Sequence, residues 1–73
     1  MTAAWRARFP LGSRITLDRA ELAAAGDRTP APFTGTVVGY CSAIPAVWVQ
    51  LDGRARRQIF HVRYLQRGAE AAG

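Results

Sequence analysis

Residues 46–61 read Ala-Val-Trp-Val-Gln-Leu-Asp-Gly-Arg-Ala-Arg-Arg-Gln-Ile-Phe-His. Alternation over Ala46 to Leu51 puts Val47, Val49 and Leu51 on one face and Trp48 and Gln50 on the other, the pattern of a half-buried strand. Asp52-Gly53 is a hairpin turn signal, and Gln58 to His61 completes the hairpin.

Working outward, Val62 to Leu65 reads as a single tight turn, with a short closing strand around Gln66 and Arg67 and a frayed tail over 68–73. Upstream, Cys41 to Pro45 turns the chain, and Phe33 to Tyr40 is a strand in which Gly35 and Gly39 mark a bulge, a bend or a close backbone approach. Thr29-Pro30-Ala31-Pro32 is a stiff extended lead-in, because proline fixes its own φ and biases the residue before it. Asp18 to Glu21 carries the spacing of a capping box, Leu22 to Ala25 favours helix, and Gly26 is placed to stop it. Arg14-Ile15-Thr16-Leu17 alternates as a first strand. Residues 1–8 have no period and read as a flexible arm, with Trp5 able to dock. The expected fold is all-β: a small SH3-like barrel of about five strands over residues 9–67, with a short helix in the first long loop.

A 73-residue chain makes one domain with a thin core, burying about 60% of the surface its unfolded form exposes. Scaffolds this small gain stability from disulfides, metals or oligomerisation. Cys41 is the single cysteine and His61 the single histidine, so a second copy of the chain is the expected staple. A lone cysteine fits a reducing cytosol, no apolar run approaches the roughly 20 residues of a membrane span, and the N-terminus lacks the order of a signal peptide. The expectation is a cytoplasmic protein.

Two potential ligands fall short of the roughly four a structural zinc needs, and no Gly-rich loop precedes a helix, which removes metal and nucleotide-fold motifs. Cys41 has no neighbouring base at a recognisable spacing and reads as a small buried residue. All ten basic residues are arginine, against five acidic ones, for a net charge of +5. That balance attracts polyanions and phosphorylated or carboxylated ligands. Arg54, Arg56 and Arg57 crowd the approach to Gln58; they read either as a solvated turn or, with Arg14, Arg28 or Arg63, as the field for an anionic ligand. Trp48 faces away from the core, and a side chain that can hide about 150–250 Å² is expected to meet either another subunit or the long first loop of its own chain.

Three ordered blocks carry a family resemblance: Phe9-Pro10-Leu11-Gly12-Ser13-Arg14-Ile15, Phe33-Thr34-Gly35-Thr36-Val37-Val38-Gly39-Tyr40, and Gln58-Ile59-Phe60 followed by Val62 and Leu65-Gln66-Arg67. Over a little more than half its length the chain resembles the plasmid-encoded type II dihydrofolate reductases. The resemblance implies a homotetramer of SH3-like chains around one pore, which binds NADPH and dihydrofolate and ignores trimethoprim. It assigns Gln58, Ile59 and Phe60 as catalytic and cofactor-binding residues: Gln58 touching both ligands, the Ile59 backbone bonding the carboxamide or pterin edge while its side chain packs on a ring, and Phe60 standing where the family has tyrosine. Catalysis would rest on holding the two rings face to face, since orientation alone supplies on the order of 7–11 kcal/mol. The family's paired lysines have no counterpart, leaving Arg14, Arg28 or the Arg54 to Arg57 cluster to supply that charge. The helix-bearing insertion between Leu17 and Pro32 is also this chain's own. On this reading neither a membrane nor a nucleic acid is an expected partner. The alternative is an SH3-like nucleic-acid-binding module, in which arginines meet phosphates and Trp48 or Tyr40 stacks on a base, and a non-catalytic protein-interaction barrel is a third.

Overall fold

Apolar side chains at alternate positions of five short segments meet in one cluster, and that alternation determines the architecture. A computed structural model describes residues 4–67. The chain runs α1 (Ala4–Arg8), β1 (Arg14–Leu17), α2 (Arg19–Ala24), β2 (Thr34–Tyr40), β3 (Ala46–Leu51), β4 (Gln58–His61), a 3-10 turn (Val62–Tyr64) and β5 (Leu65–Arg67). All strand pairs are antiparallel, in the order β4-β3-β2-β1-β5. The result is the expected all-β, SH3-like barrel, with Phe9, Ile15, Leu17, Leu22, Val37, Val47, Val49, Leu51, Phe60 and Leu65 as its core.

Local chemistry explains most of the elements. Asp18 caps α2 by accepting from the Glu21 N–H at 3.1 Å, and Gly26 follows the helix at φ +79°. The reciprocal half of the capping box does not form. The Asp18 N–H donates instead to the Tyr64 carbonyl at 2.7 Å, and the Glu21 carboxylate reaches Arg63 at 3.7 Å, so the insertion is fastened to the 3-10 turn. Leu22 then drops into the core. Gly35 is a close approach: a Cβ there would stand 2.6 Å from the Gln50 carbonyl oxygen and 2.8 Å from a Val49 methyl. The register of β2 against β3 shifts between Val37 and Gly39, a bulge that leaves Val38 42% exposed.

Two expectations are corrected. Residues 4–8 form a short helix rather than a loose arm: Trp5 meets Tyr40 edge-to-face at 5.6 Å, and the Arg6 guanidinium lies 5.3 Å and 5.2 Å from the two ring centres. Aromatic and cation–π contacts hold the segment where its own propensity is too slight to. The β3–β4 connection is also not a tight hairpin. Arg54 N–H donates to the Leu51 carbonyl at 3.0 Å and Gly53 sits at φ +76°, but pairing resumes only at Gln58, because Gln50 donates its side-chain amide to the Arg54 carbonyl and holds the loop open. The first three residues of the expected arm and the tail over 68–73 lie outside the described residues. Among the described residues no helix is long and apolar enough to cross a membrane, and no group of three or more His, Cys, Asp or Glu could hold a metal.

Candidate functional site

The β3–β4 pairing sets Val47 opposite Phe60, Trp48 opposite Ile59 and Val49 opposite Gln58. Residues directly opposite share a face of the sheet, so this register decides where each expected site residue points. Val47 is fully buried, and Phe60 with it: its ring is 5% exposed and belongs to the core. The Phe60 side chain, which the resemblance names as a ligand contact, faces the core of its own barrel. Lacking the hydroxyl of tyrosine, the ring has no polar end to keep in water. Ile59, on the opposite face, is 40% exposed. Gln58 shares the parity of Phe60 but stands at the open end of β4, half-buried beside the arginine loop. Of the three residues, two reach the surface and one fills the barrel.

The outer face is organised around Trp48. Its β2 neighbour is Gly39, where a Cβ would lie 3.5–3.8 Å from the Cβ of Trp48 and from Cγ and Cδ1 of its indole, so the indole edge lies against a stretch of sheet with no side chain in its way. Across the strand it faces Ile59. The Arg57 guanidinium sits 5.1 Å from the centre of the Trp48 ring, so a residue of its own hairpin loop packs over it. Sequence reasoning placed Trp48 outside but missed this stack. Residue parity contained the signal: Arg57 and Ile59 are two apart on one strand path, which makes Arg57 a diagonal neighbour of Trp48.

Beside the stack, Arg54, Ala55, Arg56, Arg57 and Gln58 line an open hollow of about 430 Å³. The other arginines named in the sequence are differently engaged. Arg14 makes a two-pronged pair with Asp52 at 2.8 and 2.6 Å, and Asp52 also accepts from the Thr34 hydroxyl at 2.6 Å. These bonds hold the Asp52 carboxyl well below the ordinary carboxylate range and raise the Arg14 guanidinium above its own. Arg14 is thus tied to the turn at the base of the hairpin. Arg54 donates to the carbonyls of Pro30 at 2.9 Å and Ala31 at 3.4 Å, which pins the loop to the proline lead-in. Arg63 is engaged by Glu21. Arg28 is exposed on the loop before Pro30, and Arg56 and Arg57 are exposed on the rim of the hollow.

His61 has a structural task. Its Nδ1 accepts from the Arg63 N–H at 3.1 Å, starting the 3-10 turn, so the histidine is not aimed at the arginine loop. Backbone hydrogen bonds from Ile44 and Ala43 pull the Cys41 thiol below its ordinary value. Tyr40 donates its hydroxyl to the Phe9 carbonyl at 2.7 Å and carries Trp5 on its ring, which removes it as a stacking surface. A second open hollow, about 510 Å³ between α2 and Phe33, is lined by Arg19, whose guanidinium lies 4.9 Å from the Phe33 ring centre, and by Asp27, whose carboxylate accepts from the backbone N–H and hydroxyl of Thr29.

The charge distribution is lopsided. From Gly53 to Ala69 the chain has five arginines and no acidic residue. Asp18, Glu21 and Asp52 serve caps and pairs on the other side of the β3–β4 turn or at α2. What the arrangement can do is hold an anion against Arg56 and Arg57 and offer a flat apolar surface next to it. Comparisons with protein-family models, with curated proteins and with solved structures returned no match for this chain.

Proposed function

We propose that this chain is a nucleic-acid-binding SH3-like module that works through the outer face of β3–β4 and the arginine loop. One observation carries the reading: Arg57 stacked on Trp48 at the rim of an arginine-lined hollow, within a stretch of sequence that carries no carboxylate of its own. Guanidinium pairs with phosphate through two parallel hydrogen bonds, and every phosphate neutralised releases a counterion, so such binding must weaken with salt. Fluorescence anisotropy of a labelled oligonucleotide, titrated at several salt concentrations, tests it. With two or three phosphates engaged, log K should fall against log salt with a slope of roughly −2. Absence of binding at low ionic strength, or binding indifferent to salt, contradicts the proposal.

A second reading is favoured by a different observation. Gln58 and Ile59 lie on β4, which is an edge of the sheet, so both are available to a neighbouring copy. Four such edges around a shared axis would supply the Gln-Ile walls of the pore that a type II-like dihydrofolate reductase requires, with NADPH and dihydrofolate inside it and without a contribution from the Phe60 ring. Light scattering and an NADPH-plus-dihydrofolate turnover assay containing trimethoprim separate the two. A tetramer with turnover that stops in Gln58→Ala supports the reductase; a monomer has no pore and excludes it.

A further inference from the structure

We infer that the nucleic acid this face takes is single-stranded, with one unpaired base seated on the Trp48 indole in the place where Arg57 now lies. The inference rests on the binding reading above and names its substrate class. The surface around Trp48 has the features of a stacking platform and lacks those of a groove reader. Gly39 beneath the indole and Ile59 beside it give a flat apolar patch, extended by the exposed Val38 of the bulge. Such a patch matches the face of a base, and that face is hidden in a duplex; only an unpaired base can offer it. Among the described residues no helix is longer than six residues, and the residues of this site belong to strands and a loop, so no element of it has the shape that enters a major groove.

Arg57 is the second half of the inference. A guanidinium over an indole is a weak cation–π contact at an exposed site, whereas the same guanidinium on a phosphate makes a charge-assisted bidentate pair. When a strand arrives, Arg57 leaves the ring for the backbone and a base takes the ring, so one residue exchange opens the platform and adds a phosphate contact. Tyr40 cannot serve in its stead, because its hydroxyl and ring are both engaged.

Trp5→Phe leaves Trp48 as the only tryptophan and makes its fluorescence a direct report on the platform. An oligothymidylate of about eight nucleotides, within the span that small barrels bind, is compared with a blunt duplex of the same charge. The inference expects the single strand to bind at least about fivefold more tightly and to quench Trp48. It expects Trp48→Ala, checked for native circular dichroism, to weaken single-strand binding by about tenfold or more, with Trp48→Phe retaining most of it. It also expects Arg57→Ala to reduce the single-strand salt slope by about 0.7. Equal affinity for the duplex with no quenching overturns the single-strand inference and leaves the broader reading standing. No binding of either probe at low salt overturns both. Because the quenching arm needs no change at Trp48, a poorly folding Trp48→Ala protein leaves the test intact.

Discussion

The two faces of the β3–β4 hairpin are built from adjacent residues and do opposite things. Val47, Val49, Leu51 and Phe60 point inward and are almost wholly out of water, while Trp48, Ile59 and Arg57 sit one residue away on the other side, open or half-open to it. The inner face closes a thin core; the outer face keeps apolar and cationic groups that the core has no use for. In a domain this small few residues can be spared from the core, so exposed apolar and aromatic groups on one patch signal contact with something else.

The sharpest way to break the comparison is to truncate one residue from each face. Phe60→Ala should remove about 3–5 kcal/mol of stability, a large part of what any domain has, and lose binding only because the fold is lost. Ile59→Ala, next in the chain, should lower the urea midpoint clearly less, since Ile59 is 40% exposed and lies outside the core. Equal losses from the two would show that the faces are not divided as described. Gly35→Ala should come next, at about 1–3 kcal/mol of overpacking, because the new methyl meets backbone at the Gln50 carbonyl and that strand cannot give way. A chemical melt with an unchanged midpoint would mean β2 and β3 can separate there without cost.

How much of this was legible in the sequence follows from the same contrast. The inward set of β3 was readable because strict alternation leaves one assignment, and the bulge was readable because glycine in a strand needs a reason. The direction of Phe60 was also available, from the register that sets it opposite Val47; the resemblance names Gln58, Ile59 and Phe60 together as ligand contacts, whereas alternation permits only some of them to face one way. The helix over Ala4–Arg8 was not legible, since no cap or period announces it and its supports, Tyr40 and the Arg6 cation, are remote or unpatterned. The six-residue breadth of the β3–β4 loop was hidden for a related reason: Asp52-Gly53 signals a turn, but nothing local says that Gln50 will capture the Arg54 carbonyl or that Asp52 will be shared between Arg14 and Thr34.

That shared carboxylate gives a smaller effect, confined to acid. Asp52 is held ionised below its ordinary value of 3.8 by the Arg14 and Thr34 bonds, so its contribution to stability is fully present above that pH and is lost as pH falls through the depressed value. Melting temperature followed from neutral pH downward should decline below about pH 4, and Asp52→Asn should blunt that decline. An acid profile identical in the two proteins would separate the turn from the stability of the hairpin. The smallest expected effect is on the outer face itself: Arg56→Ala should leave the melting temperature within the range of ordinary surface changes while lowering the salt slope of oligonucleotide binding by roughly 0.7–0.9.

The central claim is that the outer face of this hairpin, not the core or the helices, is where the chain meets its partner. Backbone amide shifts recorded while a short oligonucleotide is added locate that contact residue by residue. The account predicts shifts concentrated at Val38 and Gly39, at Trp48, and from Arg54 to Ile59. Shifts centred on Ala4–Arg8 or Arg19–Ala24, or none at saturating oligonucleotide, would contradict it.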